Sequence, residues 1–343
     1  MKKMLSIALA AILALSLAAC GNQPAASGNS ASEHSAASST SASATQQQET
    51  PSTITIKSLN GAKEVIDLEV PYNAQRIAVL DMAALDILDA LGVGDRVVGS
   101  AKTSLDYLQS YVENKAVKNL GTIKEADLES IMSCEPDVIF IGGRLASQYD
   151  ELSKIAPVVY LATDTEIGVV ESVRTNATTI ASLFGLEDQV ESLMAGFDSR
   201  IQALADFAQG KSAVVGMCTS GSFNVLGNDG RCSIIGREIG FENIGVDAQL
   251  DTSTHGNEAS FEFLVEKNPQ YIFVMDRDAA IASEGAKLAQ EIMNNELVNK
   301  TQAAQNNQII YLEHPAVWYT AEGGITALDV MLQDLEKGLG LTA

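Results

Sequence analysis

From residue 76 onward the chain alternates short β-rich runs with helical ones, and no other feature restricts its fold as strongly. "RIAVLD" (76–81) reads as a strand, "MAALDILDALG" as a helix closed by Gly92, and "RVVGS" as the next strand. "ADLESIMSCEP", "DVIFIGG", "YDELSKIAP" and "VVYLA" continue the pattern. Strands separated by helices pair in parallel, through βαβ crossovers. A further helix is predicted over 171–184, stopped by Gly185. In 188–208, Val190, Leu193, Phe197, Ile201, Leu204 and Ala208 recur at three- and four-residue spacing, which predicts one long amphipathic helix. The alternation then restarts with the strand "SAVVGMC", the helices "CSIIGREIG" and "FEFLVEKNP", the strand "YIFVM", the helix "KLAQEIMNNELVN" and the strand "QIIYLE". "GGITALDVMLQDLEKGLG" closes it as a helix.

One phrase is written twice. "ESIMSCEPDVIFIGGR" (129–144) and "EFLVEKNPQYIFVMDR" (262–277) align Glu129 with Glu262, Pro136 with Pro269, Ile139 and Phe140 with Ile272 and Phe273, and Arg144 with Arg277. A second strand follows each arginine, "VVYL" at 158–161 and "IIYL" at 309–312. Matched offsets over both copies indicate an internal duplication. The expected fold class is therefore α/β, with two Rossmann-like lobes carrying parallel sheets (53–187 and 211–343) joined by a single long helix (188–210).

The chain opens "MKKMLSIALAAILALSLAAC", two lysines before an apolar run and small residues before a cysteine. The run is too short for a bilayer span and fits a secretory signal over 1–19. "LAAC" matches the bacterial lipobox, so Cys20 is expected to carry lipid and anchor the protein on the extracytoplasmic face of the cell membrane. Residues 20–52, almost all Ser, Ala, Thr, Gln, Gly and Asn, read as a flexible tether that includes His34. Acids outnumber bases 44 to 22, and the acidity argues against nucleic acid as a partner. Cys134, Cys218 and Cys232 remain beyond Cys20; a Cys218–Cys232 bond and buried free thiols are both open.

In open parallel sheets, ligands sit beyond the carboxyl ends of the strands, which is where Arg144 and Arg277 are expected. Arg231, in the glycine-containing loop "VLGNDGRCS", can reach the same crevice, and a helix beginning near Cys232 would add positive potential. Three arginines around one interlobe cleft predict an anionic ligand, because guanidinium donors fit carboxylate, phosphate or catecholate oxygens. On spacing alone His255, in "STHGNE", is an ordinary loop histidine. The sequence has no HxH, HExxH or CxxC for a zinc site, no GxSxG elbow, no Walker loop and no full dinucleotide fingerprint.

The motifs "GGR", "NDGR", "THG", "EKNPQYIFVMDR", "AAQNNQIIYL" and "WYTAEGG", with the lipobox and tether, resemble the helix-hinged substrate-binding lipoproteins of bacterial ABC importers, of the ferric catecholate siderophore type (enterobactin, petrobactin). The likeness spans essentially all of 54–341. It implies that Arg144, Arg231 and Arg277 hold a ferric catecholate, and that His255 and Tyr319 complete the Fe(III) shell when the siderophore offers only two catechols. It implies permease docking through Glu129 and Glu262, no intrinsic cofactor, no enzymatic activity and a monomer. Glu322, after Tyr319, departs from what suits an anion. Haem or a corrinoid is the alternative ligand class, and an extracytoplasmic siderophore-modifying enzyme the alternative from another class.

Overall fold

The computed structural model describes residues 52–246 and 256–341. Cys20, the signal segment, nearly all of the tether and His255 lie outside the described residues. Among the described residues no helix is long and apolar enough to cross a membrane.

The ordered chain starts with an antiparallel hairpin, β1 (Thr53–Leu59) and β2 (Val65–Pro71), paired from Thr53 with Pro71 to Leu59 with Val65. The first lobe then runs β3 (Ile77–Val79), α1 (Met82–Ala90), β4 (Val97–Ser100), α2 (Gln109–Glu113) and β5 (Lys118–Asn119). A minimal hairpin of β6 (Gly121–Thr122) and β7 (Glu125–Ala126) leads into α3 (Leu128–Ser133), β8 (Val138–Ile141), α4 (Tyr149–Leu152), β9 (Val158–Tyr160) and α5 (Val169–Ser182). The sheet order is β5-β4-β3-β8-β9 and every pairing is parallel. All residues of β3, β8 and β9 are buried, which is why these strands read as unbroken apolar runs rather than as alternations.

Two helices follow, α6 (Glu187–Met194) and α7 (Phe197–Ala208). This corrects the single long helix expected over 188–208. Gly196 adopts φ 91°, a left-handed conformation closed to most residues, and it turns the chain between them. The apolar spacing survives the break because each piece still buries its own stripe, Val190 and Met194 in α6, Phe197, Leu204 and Ala208 in α7.

The second lobe contains β10 (Ser212–Thr219), β11 (Ser222–Val225), α8 (Ile234–Arg237), β12 (Glu242–Asn243), β13 (Asn257–Ala259), α9 (Phe261–Lys267), β14 (Tyr271–Asp276) and α10 (Arg277–Ala280). It continues with α11 (Ala289–Met293), α12 (Gln302–Gln305), β15 (Ile309–Tyr311), α13 (Pro315–Thr320) and α14 (Ile325–Gly338). The sheet runs β13-β11-β10-β14-β15, with β12 also beside β10. β10, β14, β15 and β12 are parallel, but β11 pairs antiparallel with both β10 and β13, so the sheet is mixed rather than wholly parallel as expected. The reason is local: Ser220 (φ 52°) and Gly221 (φ 82°) are both left-handed, the two-residue turn that sends a strand straight back. The helix expected over "KLAQEIMNNELVN" ends at Met293, because the Asn295 carboxamide accepts from the Leu297 and Val298 N–H groups and starts a new turn.

The two faces of the second sheet pack into different cores. Val215, Met217, Phe273 and Met275 join one apolar cluster that runs through α14 into the first lobe. Val214, Cys218, Ile272 and Val274 join a separate cluster with Leu264, Ile292 and Met293. This is the period-two alternation of a strand, read in burial.

Candidate functional site

Both copies of the duplicated phrase fold alike. Asp127 caps α3 by accepting from Ser130 N–H, and Ser260 caps α9 by accepting from Phe263 N–H. Each helix carries its exposed glutamate, Glu129 or Glu262, in the first turn, and each feeds the strand whose far end bears an arginine. Arg144 lies in the 3-10 turn Gly143–Gln148 directly after β8, and Arg277 is the first residue of α10 directly after β14. Arg231 projects from the loop after β11, and Tyr319 from α13, where it is 4% exposed.

These four side chains converge. The guanidinium carbons of Arg231, Arg144 and Arg277 lie 4.4, 5.3 and 5.7 Å from the centroid of the Tyr319 ring. Arg277 Nε donates to the Tyr319 hydroxyl at 3.2 Å, and Arg144 Nη2 donates to the Tyr319 carbonyl at 3.0 Å. Arg144, Arg231 and Tyr319 line a cavity of about 200 Å³ that is walled by both lobes, with Asp81 and Gly142 on one side and Arg231 and Glu322 on the other, and Arg277 reaches it through the Tyr319 hydroxyl. His255 lies outside the described residues, so its place relative to the cavity is not part of this geometry.

Burial pushes the Tyr319 phenol up, but the Arg277 hydrogen bond and the charges of all three arginines outweigh it and hold the phenol below its ordinary value. Burial, then repulsion from Arg144, pushes the Arg231 guanidinium down. Each arginine has an acid nearby, and of these the sequence pointed only to Glu322. Asp278 accepts from Arg277 Nη1 at 3.1 Å and from Ser220 N–H at 2.6 Å, tying the arginine to the β10–β11 turn. Burial raises Asp81, against the Ala84 N–H that it caps at 3.0 Å and the charge of Arg144.

Glu322 is the third acid. Its Oε1 accepts from Cys232 N–H at 2.9 Å, so the positive end expected near Cys232 is occupied by a carboxyl of the chain itself. The helix there is only the four residues of α8 and begins at Ile234. Burial pushes Glu322 from 4.5 up to about 7, with Glu238 adding to the rise and Cys232 N–H and Arg231 opposing it. A carboxyl with a raised folded pKa contributes stability below its unfolded value that is lost as pH climbs through the folded one. Glu322→Gln is therefore expected to unfold at higher temperature than the parent at pH 8, by an amount corresponding to roughly 3 kcal/mol at most. The gap should shrink as pH falls and close below about pH 4.5, the ordinary carboxyl value. Thermal unfolding of both proteins across this range is the measurement, and a gap that does not depend on pH would contradict the assignment.

Cys134, Cys218 and Cys232 are free and buried, which settles the open pairing in favour of thiols. Burial, reinforced by Asp276 and Asp278, pushes Cys218 up to about 12, so it is an inert core residue.

Comparison with known proteins gives a consistent result. The chain is 32% identical to the petrobactin-binding protein YclQ of Bacillus subtilis over 345 residues, 99% of each chain. The crystal structure of YclQ superposes with a TM-score of 0.76 at 31% identity, covering 83% of this chain and 99% of that one. The catecholate-siderophore binding protein VctP of Vibrio cholerae superposes with a TM-score of 0.74 at 29% identity, covering 83% of this chain and all of the other. The iron(3+)-hydroxamate-binding protein FhuD of Bacillus subtilis is 26% identical over 280 residues, 79% of this chain and 80% of its own. Residues 77–316 match the family described as periplasmic binding protein, and the chain belongs to that family.

Proposed function

We propose that the protein is an extracytoplasmic receptor, anchored through Cys20, that binds a ferric catecholate siderophore between its lobes and hands it to an ABC permease without chemistry on the ligand. The observation that carries this is the convergence of Arg144, Arg231 and Arg277 on one buried phenol. Three like charges in a partly desolvated cleft repel one another, and an anion placed among them removes that cost. Ferric catecholates carry net negative charge, whereas neutral ferric hydroxamates offer no compensation. Ferric iron is a hard cation that prefers anionic oxygen, and a phenol held toward its phenolate form, as in Tyr319, suits it. Iron in this reading is cargo, and the chain supplies no cofactor of its own. The relatives YclQ and VctP, with petrobactin-binding and catecholate-siderophore binding in their names, support the same ligand class.

Trp318 is the chain's one tryptophan, fully buried and next to Tyr319 in sequence. Its fluorescence thus reports on the site. Titration with ferric petrobactin and ferric enterobactin is expected to quench it, with a dissociation constant well below about 10 μM. Haem and a cobalamin serve as the alternative metal chelates in the same titration. If no catecholate complex binds tighter than that limit, the reading fails. Glu129 and Glu262 are proposed as the permease contacts, since each is exposed and they occupy equivalent places in the two lobes. A Glu129→Arg/Glu262→Arg protein should keep its affinity for the ferric complex and lose uptake in cells; normal uptake would remove both residues from the docking surface.

A further inference from the structure

The two lobes are fastened to each other by the same chemistry used in opposite directions. Asp86, on α1 of the first lobe, accepts from Thr326 and Ala327 N–H at 2.8 Å each and so caps α14. Glu238, just after α8 in the second lobe, returns the arrangement: its Oε1 accepts from Val169 N–H at 2.5 Å and Val170 N–H at 3.3 Å, the first turn of the 14-residue α5. Beside it the Arg237 guanidinium donates to the carbonyl oxygens of Thr165 and Glu166. Gly168 makes room for this contact, because a Cβ there would lie 2.5 Å from Glu238 Oε1 and 3.2 Å from Arg237 Nε.

The two fasteners differ in what it takes to undo them. Asp86 is 0% exposed, uses both oxygens, and also accepts from the Tyr107 hydroxyl at 2.8 Å. Breaking it would strand buried donors, which costs far more than a made bond gains. The Arg237 bonds are exposed and exchange readily for water. Glu238 Oε2 is buried with no partner, so separation returns to it the hydration it lacks in the fastened state. Glu238 also adds, behind burial, to the push on Glu322 in the cavity. The cavity itself, at about 200 Å³, is below the size of ordinary ligand pockets, roughly 300–1,000 Å³, so parting of the lobes would widen it toward that range.

We propose that Arg237 and Glu238 are positioning residues that clasp the 165–170 turn across the cleft, opening to admit ligand and closing to retain it, while the Asp86–α14 contact stays made. The retention half of this rests on the siderophore reading above; the opening half does not.

The test uses the mature chain with spin labels at Glu113→Cys and Glu291→Cys, exposed positions on α2 and α11 in the two lobes. Among the described residues the native thiols Cys134, Cys218 and Cys232 are buried, and with Cys20→Ser the two introduced cysteines are left as the labelling sites. In the ligand-free protein, Arg237→Ala, Glu238→Ala and Gly168→Ala are each expected to lengthen and broaden the interlobe distance distribution. In chase experiments with ferric petrobactin, Glu238→Ala should dissociate at least tenfold faster, with association changed less than threefold. Distances identical to the parent in all three variants overturn the clasp, and so does an unchanged dissociation rate. If the parent binds no ferric complex at all, the siderophore reading falls and the distance measurement alone decides the clasp.

Discussion

Replacing the three guanidiniums together, Arg144→Gln/Arg231→Gln/Arg277→Gln, is expected to lower affinity for ferric petrobactin by at least about a thousandfold and leave the protein folded. Hydrogen bonds to charged groups contribute roughly 1.5–3 kcal/mol each, or about 10- to 150-fold in affinity per arginine, and neighbouring sites do not add fully. The fold should survive because the change removes buried charge and the mutual repulsion of the guanidiniums, and burial first and Arg144 second push Arg231 down. Fluorescence titration gives the affinity and thermal unfolding the control. Affinity retained within tenfold in a folded variant would refute the assignment of the cluster. Tyr319→Phe separates iron contact from anion contact. It should cost less affinity, while shifting the iron charge-transfer band if the phenol reaches the metal.

Asp86→Ala is expected to cost about 3–5 kcal/mol of stability, more than any change in the cleft. It leaves the Thr326 and Ala327 N–H groups and the Tyr107 hydroxyl without their acceptor in a fully buried place, at roughly 1–3 kcal/mol for each stranded donor. Gly324 marks how closely that carboxyl fits, since a Cβ there would lie 2.4 Å from Asp86 Oδ2. Asp86→Asn keeps one acceptor and should lose about half as much. Chemical denaturation of the three proteins measures this, and a loss below about 1 kcal/mol for the alanine variant would mean that α14 is held by its apolar face alone.

Much of this molecule is legible from its residues because burial on both faces leaves a plain trace. The strands around Ile77, Val138, Val158, Tyr271 and Ile309 stand where their apolar runs place them. The offsets of the duplicated phrase place Arg144 and Arg277 just past the ends of two such strands. What escaped has weaker local signals. The β1–β2 hairpin is half exposed, β11 is four residues long after a Ser-Gly turn, and Gly196 sits on an amphipathic pattern that continues across it.

The acids of the site escaped for a different reason. Asp81, Asp86, Glu238 and Asp278 are ordinary letters in a chain with 44 acids, and nothing near them in sequence marks them as buried or shared between lobes; Glu322 stands out in the sequence only as a charge close after Tyr319. Their roles depend on partners far along the chain, such as the 240 positions between Asp86 and Thr326. The sequence by itself determined the α/β class, the duplication and the three arginines, because periodicity and repeat spacing are local properties. Only the tertiary structure decided that a phenol stands at the centre of those arginines, that Glu322 occupies the Cys232 N–H, and that the lobes cap each other's helices. Those are contacts between segments that meet only once the chain has folded.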